Sequence, residues 1–94
     1  MRNLLERLEK DVLVADGAMG TALYGNGLES CHEYNNISNP DSVEKIHRAY
    51  IEAGADIIQT NTYAAKKCQL KTYGYEDKFE EINIKAAEIA RKAA

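Results

Sequence analysis

Val12 to Ala15 form a near-continuous apolar run that passes directly into an acid and a glycine turn, VLVADGAMGT. A run without polar alternation reads as a strand covered on both faces. A strand that had only to reverse would end on Asn-Gly or Asp-Gly and return as a hairpin. Here the chain continues into Met19, Ala22 and Leu23, whose spacing is helical. The pattern therefore predicts that Asp16 stands at the carboxyl end of a parallel strand, where α/β proteins bind their ligands.

The residues downstream supply the crossover that a parallel strand requires. Asn39 suits an N-cap, Pro40 the first helical position, and Asp41 and Glu44 the positive helix end. Val43, Ile46, His47, Tyr50 and Gly54 then share one helical face, with Gly54 as the stop. ADIIQT, residues 55–60, reads as the second strand, and strand, helix and strand in this order make a right-handed βαβ unit. Leu4, Leu5 and Leu8 predict a short amphipathic helix over residues 2–10. The turn after Asp16 predicts one or two helical turns ended by Gly25 or Gly27, followed by a loop over 28–38. A short helix closed at Gly74 follows the second strand. The last helix runs from about Glu76, with Phe79, Ile82, Ala86, Ile89, Ala90 and Ala93 as its apolar stripe. Acids open it and Arg91 and Lys92 close it, matching the macrodipole.

These elements define an α/β chain too small to complete a sheet. Two strands do not form an independently stable sheet, and unpaired edges invite self-association. The 94 residues read as the opening portion of a larger α/β protein, either a (β/α)₈ barrel or a doubly wound domain. A net charge of −3, with cations scattered among acids, gives no electrostatic case for nucleic acid or an anionic membrane. No apolar run approaches the ~20 residues that span a bilayer. The N-terminal MRNLLERLEKD is charged throughout and fails as a signal peptide, which predicts a cytoplasmic protein. Cys31 and Cys68 are expected as reduced thiols. Cys31 and His32 are adjacent, and with no further ligand at suitable spacing they do not predict a metal site.

If the strands are parallel neighbours, Asp16 and the Thr60-Asn61-Thr62 triplet project at the same sheet end. A carboxylate there can hold an ammonium group, and the N–H groups of Gly17 to Gly20 can hold an anion. Together they suit the two charged ends of an amino acid, with Thr60, Asn61 and Thr62 as neutral donors and acceptors beside them. Plainer readings exist for each residue. Asp16 serves equally as a turn acid, and Asn61 or Thr62 as a helix cap. His47 and Tyr50, on an apolar helix face, read as packing residues, His47 with its ring hydrogen-bonded. Tyr63 directly follows the candidate site. GAMG is no P-loop, since no Gly-Lys-Ser/Thr follows, and it is too short for a dinucleotide fingerprint.

DGAMGT followed by NPDSVEKIHRAYIEAGADIIQTNTYAA resembles the start of the homocysteine S-methyltransferase domain. LYGNGLESCHEYNNISNP most resembles the bacterial proteins that join this domain to a methylenetetrahydrofolate reductase. The resemblance implies an N-terminal portion, two βα units and a preceding helix, of a (β/α)₈ TIM barrel. It also implies zinc held by three cysteine thiolates, a zinc-bound homocysteine thiolate that attacks a methyl donor, and methionine as product. Asp16 would bind the homocysteine ammonium, Gly17, Ala18 and Met19 its carboxylate, and Thr60, Asn61 and Thr62 would line the pocket. The family's zinc cysteines lie in later Asn-Cys and Gly-Gly-Cys-Cys motifs that residues 1–94 do not contain, and Cys31 and Cys68 match neither. Residues 1–94 thus read as a partial domain, inactive alone. A non-catalytic α/β module that binds an amino acid or anion at the DGAMGT turn is the alternative, and a structural piece completing a barrel with a partner is a third.

Overall fold

The computed structural model describes residues 4–23, 31–63 and 65–94. Six α-helices account for most of them: α1 (Leu4–Lys10), α2 (Gly20–Leu23), α3 (Asn35–Ser38), α4 (Pro40–Glu52), α5 (Lys67–Tyr73) and α6 (Phe79–Ala93). Short 3₁₀ turns at His32–Tyr34 and Glu76–Lys78 lead into α3 and α6. The stretch expected as a loop over 28–38 is thus helical in its described part. The expected stops at Gly25 and Gly27 lie outside the described residues.

The packing centre is the pair α4 and α6. Ile82, Ala86, Ile89, Ala90 and Ala93 are buried on α6, and Val43 and His47 on α4. Val43 of α4 and Ile82 of α6 are both fully buried. At the far end Ile82 joins Cys31, Ala65 and Leu70 in a second cluster. Tyr34, Ile37, Tyr75 and Phe79 pack around it, with the Tyr34 and Tyr75 rings stacked 4.0 Å apart. On the solvent side the Glu44 carboxylate meets Arg48 at 2.8 Å and Lys92 of α6 at 3.4 Å. These cations, Arg48 first, hold the Glu44 carboxyl below its ordinary value; exposed pairs of this kind add little stability.

Helix ends follow the sequence with one exception. Helix α4 closes through Gly54 N–H to the Ile51 carbonyl and Ala55 N–H to the Tyr50 carbonyl. Helix α5 closes the same way through Gly74 and Tyr75. Gly54 and Gly74 sit at φ +112° and +79°, where a side chain would be strained. The exception is Asn39. Its side chain does not cap α4; its amide nitrogen donates instead to Asn35 Oδ1 and Ser38 Oγ.

The expected α/β architecture is not formed. Among the described residues there is no strand, so neither of two βα units of a (β/α)₈ TIM barrel is present. Residues 12–16 and 55–60 are extended but meet in a single parallel bridge, Ala15 to Ile57. The reason lies in what a strand needs from its neighbours. A parallel strand is buried on both faces and bonded along its edges, whereas Val12 is 92% and Val14 55% exposed. Among the described residues, the backbone hydrogen bonds between the two segments are confined to Asp16 N–H to the Ile57 carbonyl, and Asp56 and Ile57 N–H to the Val14 carbonyl. The Asp56 carboxylate accepts Val14 N–H at 3.0 Å, as a neighbouring strand's carbonyl would, and also pairs with Arg7 of α1. The leucines of α1 are likewise exposed. Apolar runs create strands only where a sheet surrounds them.

The packing makes a simple expectation. Ile82→Ala should destabilise the chain by about 2–5 kcal/mol. Ile84→Ala, on the exposed face two residues on, should change stability by no more than about 0.5 kcal/mol. Denaturant titration of both variants checks this, and equal losses would contradict the assigned faces.

Candidate functional site

A cleft of about 320 Å³ opens where the two extended segments end. One wall is Asp16, Gly17, Ala18 and Met19, and the other is Gln59, Thr60, Asn61, Thr62 and Tyr63; His32 and Glu33 close it from a third side. All seven residues singled out from the sequence therefore line one cavity. The bridge between Ala15 and Ile57 brings them together, since each wall begins one or two residues beyond it.

Their local partners define what each can offer. Asp16 Oδ2 accepts the Gln59 N–H at 3.1 Å, which ties the two walls together. Asp16 itself also lines the cleft. Thr60 and Thr62 share a hydroxyl–hydroxyl hydrogen bond of 2.8 Å. Asn61 differs from the expectation of a freely offered amide. Its NH₂ donates to the His32 carbonyl at 2.9 Å and to Asn36 Oδ1 at 3.1 Å, so both amide hydrogens are engaged. The Asn36 amide in turn donates to the Asn61 carbonyl at 2.9 Å and the Ile82 carbonyl at 3.3 Å. Asn36 is fully buried and Asn61 nearly so. A buried pair satisfied in this way fixes the 3₁₀ turn that carries His32 and Glu33 against the Thr60–Thr62 wall.

Gly17 is explained by close approach. A Cβ built there would lie 3.0 Å from the Tyr50 hydroxyl oxygen and 3.1 Å from its ring. Tyr50 is thus no simple core residue; its hydroxyl donates to the Ala18 carbonyl at 2.6 Å. One turn earlier on α4, His47 is fully buried as expected for a packing residue. The expected hydrogen bond is absent, because neither ring nitrogen has a partner among the described residues. Burial pushes the His47 pKa down from its ordinary value, and the nearby Asp16 charge opposes this.

Four lining residues escaped the sequence reading as site residues: His32, Glu33, Gln59 and Tyr63. Gln59 and Tyr63 flank the recognised triplet. His32 and Glu33 sit in a short 3₁₀ turn with no periodic signature. Glu33 is 6% exposed, and its carboxylate lies 3.8 Å from the Cys31 thiol. Burial, aided by this carboxylate, raises the Cys31 pKa, so the thiol stays protonated. No group of three His, Cys, Asp or Glu residues that could hold a metal ion occurs among the described residues. With Cys31 buried and Cys68 exposed, these residues do not fit a zinc bound by three thiolates. Nor is any described helix long and apolar enough to cross a membrane.

A carboxylate and a glycine turn thus face a Thr-Asn-Thr segment across one small cleft. Residues 13–94 match the family model for homocysteine S-methyltransferase, and the chain belongs to that family. It is 42% identical over 100 residues to a methionine synthase of Mycobacterium leprae (strain TN), an alignment covering 98% of this chain and 8% of that protein. It is 41% identical over 100 residues to a methionine synthase of Mycobacterium tuberculosis (strain ATCC 25618 / H37Rv), with the same 98% and 8% coverage. The chain thus spans about 8% of the length of these relatives.

His47 gives the stability of the chain a pH dependence. Its lowered pKa means that the unfolded chain takes up the proton first as pH falls below the ordinary value of 6.5. Stability conferred by the neutral ring is therefore complete above that value and declines as pH falls toward the folded-state pKa. Glu44 acts separately, below the ordinary carboxyl value of 4.5. Thermal unfolding between about pH 5 and 7.5 should show stability falling with pH, and His47→Gln should flatten the slope. An unchanged slope would contradict this assignment.

Proposed function

We propose that this chain is the part of a homocysteine methyltransferase that holds the amino-acid end of homocysteine, the methyl acceptor in methionine formation. The Asp16 carboxylate takes the ammonium group, and the backbone of Gly17, Ala18 and Met19 takes the carboxylate. Thr60 and Thr62 offer hydroxyls along the opposite wall, and Asn61 offers its amide oxygen while holding that wall in place. The observation that carries this reading is the convergence of these seven residues on one cleft, in a chain that belongs to the homocysteine S-methyltransferase family. Among the described residues, the lining side chains include two carboxylates and neither lysine nor arginine. Such a lining favours an ammonium and leaves main-chain N–H groups as the counterpart for an anion.

The reading separates holding from chemistry. Zinc activation of the thiol belongs to the family resemblance, but the described residues do not fit a thiolate-bound zinc, and no step of methyl transfer is assigned to them. Residues 1–94 alone are expected to give no conversion of homocysteine to methionine. Zinc-dependent turnover by the isolated chain would overturn this division.

Asp16→Asn tests the binding role directly. Asparagine keeps an oxygen to accept the Gln59 N–H, so the substitution removes charge while preserving the turn. In the intact protein it should weaken homocysteine binding by about 1.5–3 kcal/mol, read by calorimetric titration. Equal affinity in the two proteins would reduce Asp16 to a turn residue.

A further inference from the structure

We infer that Tyr50 is a positioning residue for ligand binding: its hydroxyl, standing behind the glycine turn, aims the Met19 N–H into the cleft. The inference rests on the reading above, in which the turn receives a carboxylate.

Three observations support it. The Tyr50 hydroxyl donates to the Ala18 carbonyl at 2.6 Å, a short and strong contact for a neutral donor. Tyr50 does not line the cleft, whereas Ala18 and Met19 do, so the hydrogen bond pulls on the turn from its far side. The described chain contains no cis peptide. In a planar trans peptide the C=O of one residue and the N–H of the next point in opposite directions. Drawing the Ala18 oxygen toward α4 therefore turns the Met19 N–H away from α4, toward the cleft. That N–H has no hydrogen-bond partner among the described residues.

Gly17 completes the device. The tyrosine ring packs so closely beneath it that a Cβ would require the ring or the turn to give by a few tenths of an ångström. The glycine thus lets the hydroxyl reach the next carbonyl, and the orientation of one peptide plane is fixed by a residue 32 positions away.

The test compares Tyr50→Phe with the unsubstituted intact protein by calorimetric titration with two probes. One is homocysteine; the other is 3-aminopropane-1-thiol, the same molecule without its carboxylate. Tyr50→Phe should weaken homocysteine binding about three- to tenfold and leave the aminothiol within about twofold. Equal weakening of both probes would indicate a merely structural tyrosine and overturn the inference, as would no change in either. If Tyr50→Phe lowers the melting temperature enough to obscure binding, Gly17→Ala offers a second route. It should produce the same carboxylate-selective loss by lifting the turn off the ring, and a non-selective loss would count against the proposal. Failure of the unsubstituted protein to bind homocysteine would overturn the underlying reading, and with it this one.

Discussion

The parallel bridge between Ala15 and Ile57 is the contact on which the site depends. It joins two extended segments that lie on either side of α4 in the sequence, and Asp16 and Thr60 lie just beyond it on the same side. Together with the Gln59 N–H to Asp16 Oδ2 hydrogen bond, it fixes the relation of the two walls of the cleft. Carboxylates reinforce it on both sides. Asp56 accepts the Val14 N–H, and Asp16 accepts the Gln59 N–H. Both segments carry donors that a full sheet would satisfy, and here two side chains do so. Asp16 therefore braces the junction through one oxygen while also lining the cleft.

Behind this junction the helices act as a frame. Helix α6 packs on α4, and α4 presents Tyr50 to the back of the glycine turn and buries His47 one turn earlier. Tyr50 is satisfied by the Ala18 carbonyl, whereas neither ring nitrogen of His47 has a partner among the described residues. A fully buried imidazole with neither nitrogen bonded is tolerable only while neutral, which is the form its surroundings favour. The second wall is fixed differently, through the Asn36–Asn61 amide pair and the Ile82 carbonyl of α6. Packing thus sets one wall and a buried polar network the other.

Much of the frame is legible in the sequence because it obeys periodic rules. The stripe from Phe79 to Ala93 is the buried face of α6, and Pro40, Gly54 and Gly74 mark helix ends by fixed backbone chemistry. The meeting of Asp16 with Thr60–Thr62 is legible too, because a crossover helix returns the chain beside its starting segment. The strands are not. Val12–Ala15 and residues 55–60 have strand composition, but composition expresses a preference that only flanking strands can realise, and Val12 and Val14 remain exposed. Residues that depend on tertiary proximity are equally invisible. Asn36 and Asn61 are 25 positions apart with nothing to link them, His32 and Glu33 lie in an aperiodic turn, and Tyr50 on an apolar face looks like core until the Ala18 carbonyl is found against it.

The central claim is that this cleft grips both charged ends of one amino acid. A crystal structure of the intact protein with bound homocysteine tests it most directly. The account predicts the ammonium nitrogen within about 2.7–3.2 Å of the Asp16 carboxylate, with the ligand carboxylate on the Met19 N–H. Homocysteine bound with its amino-acid end away from both groups would contradict it.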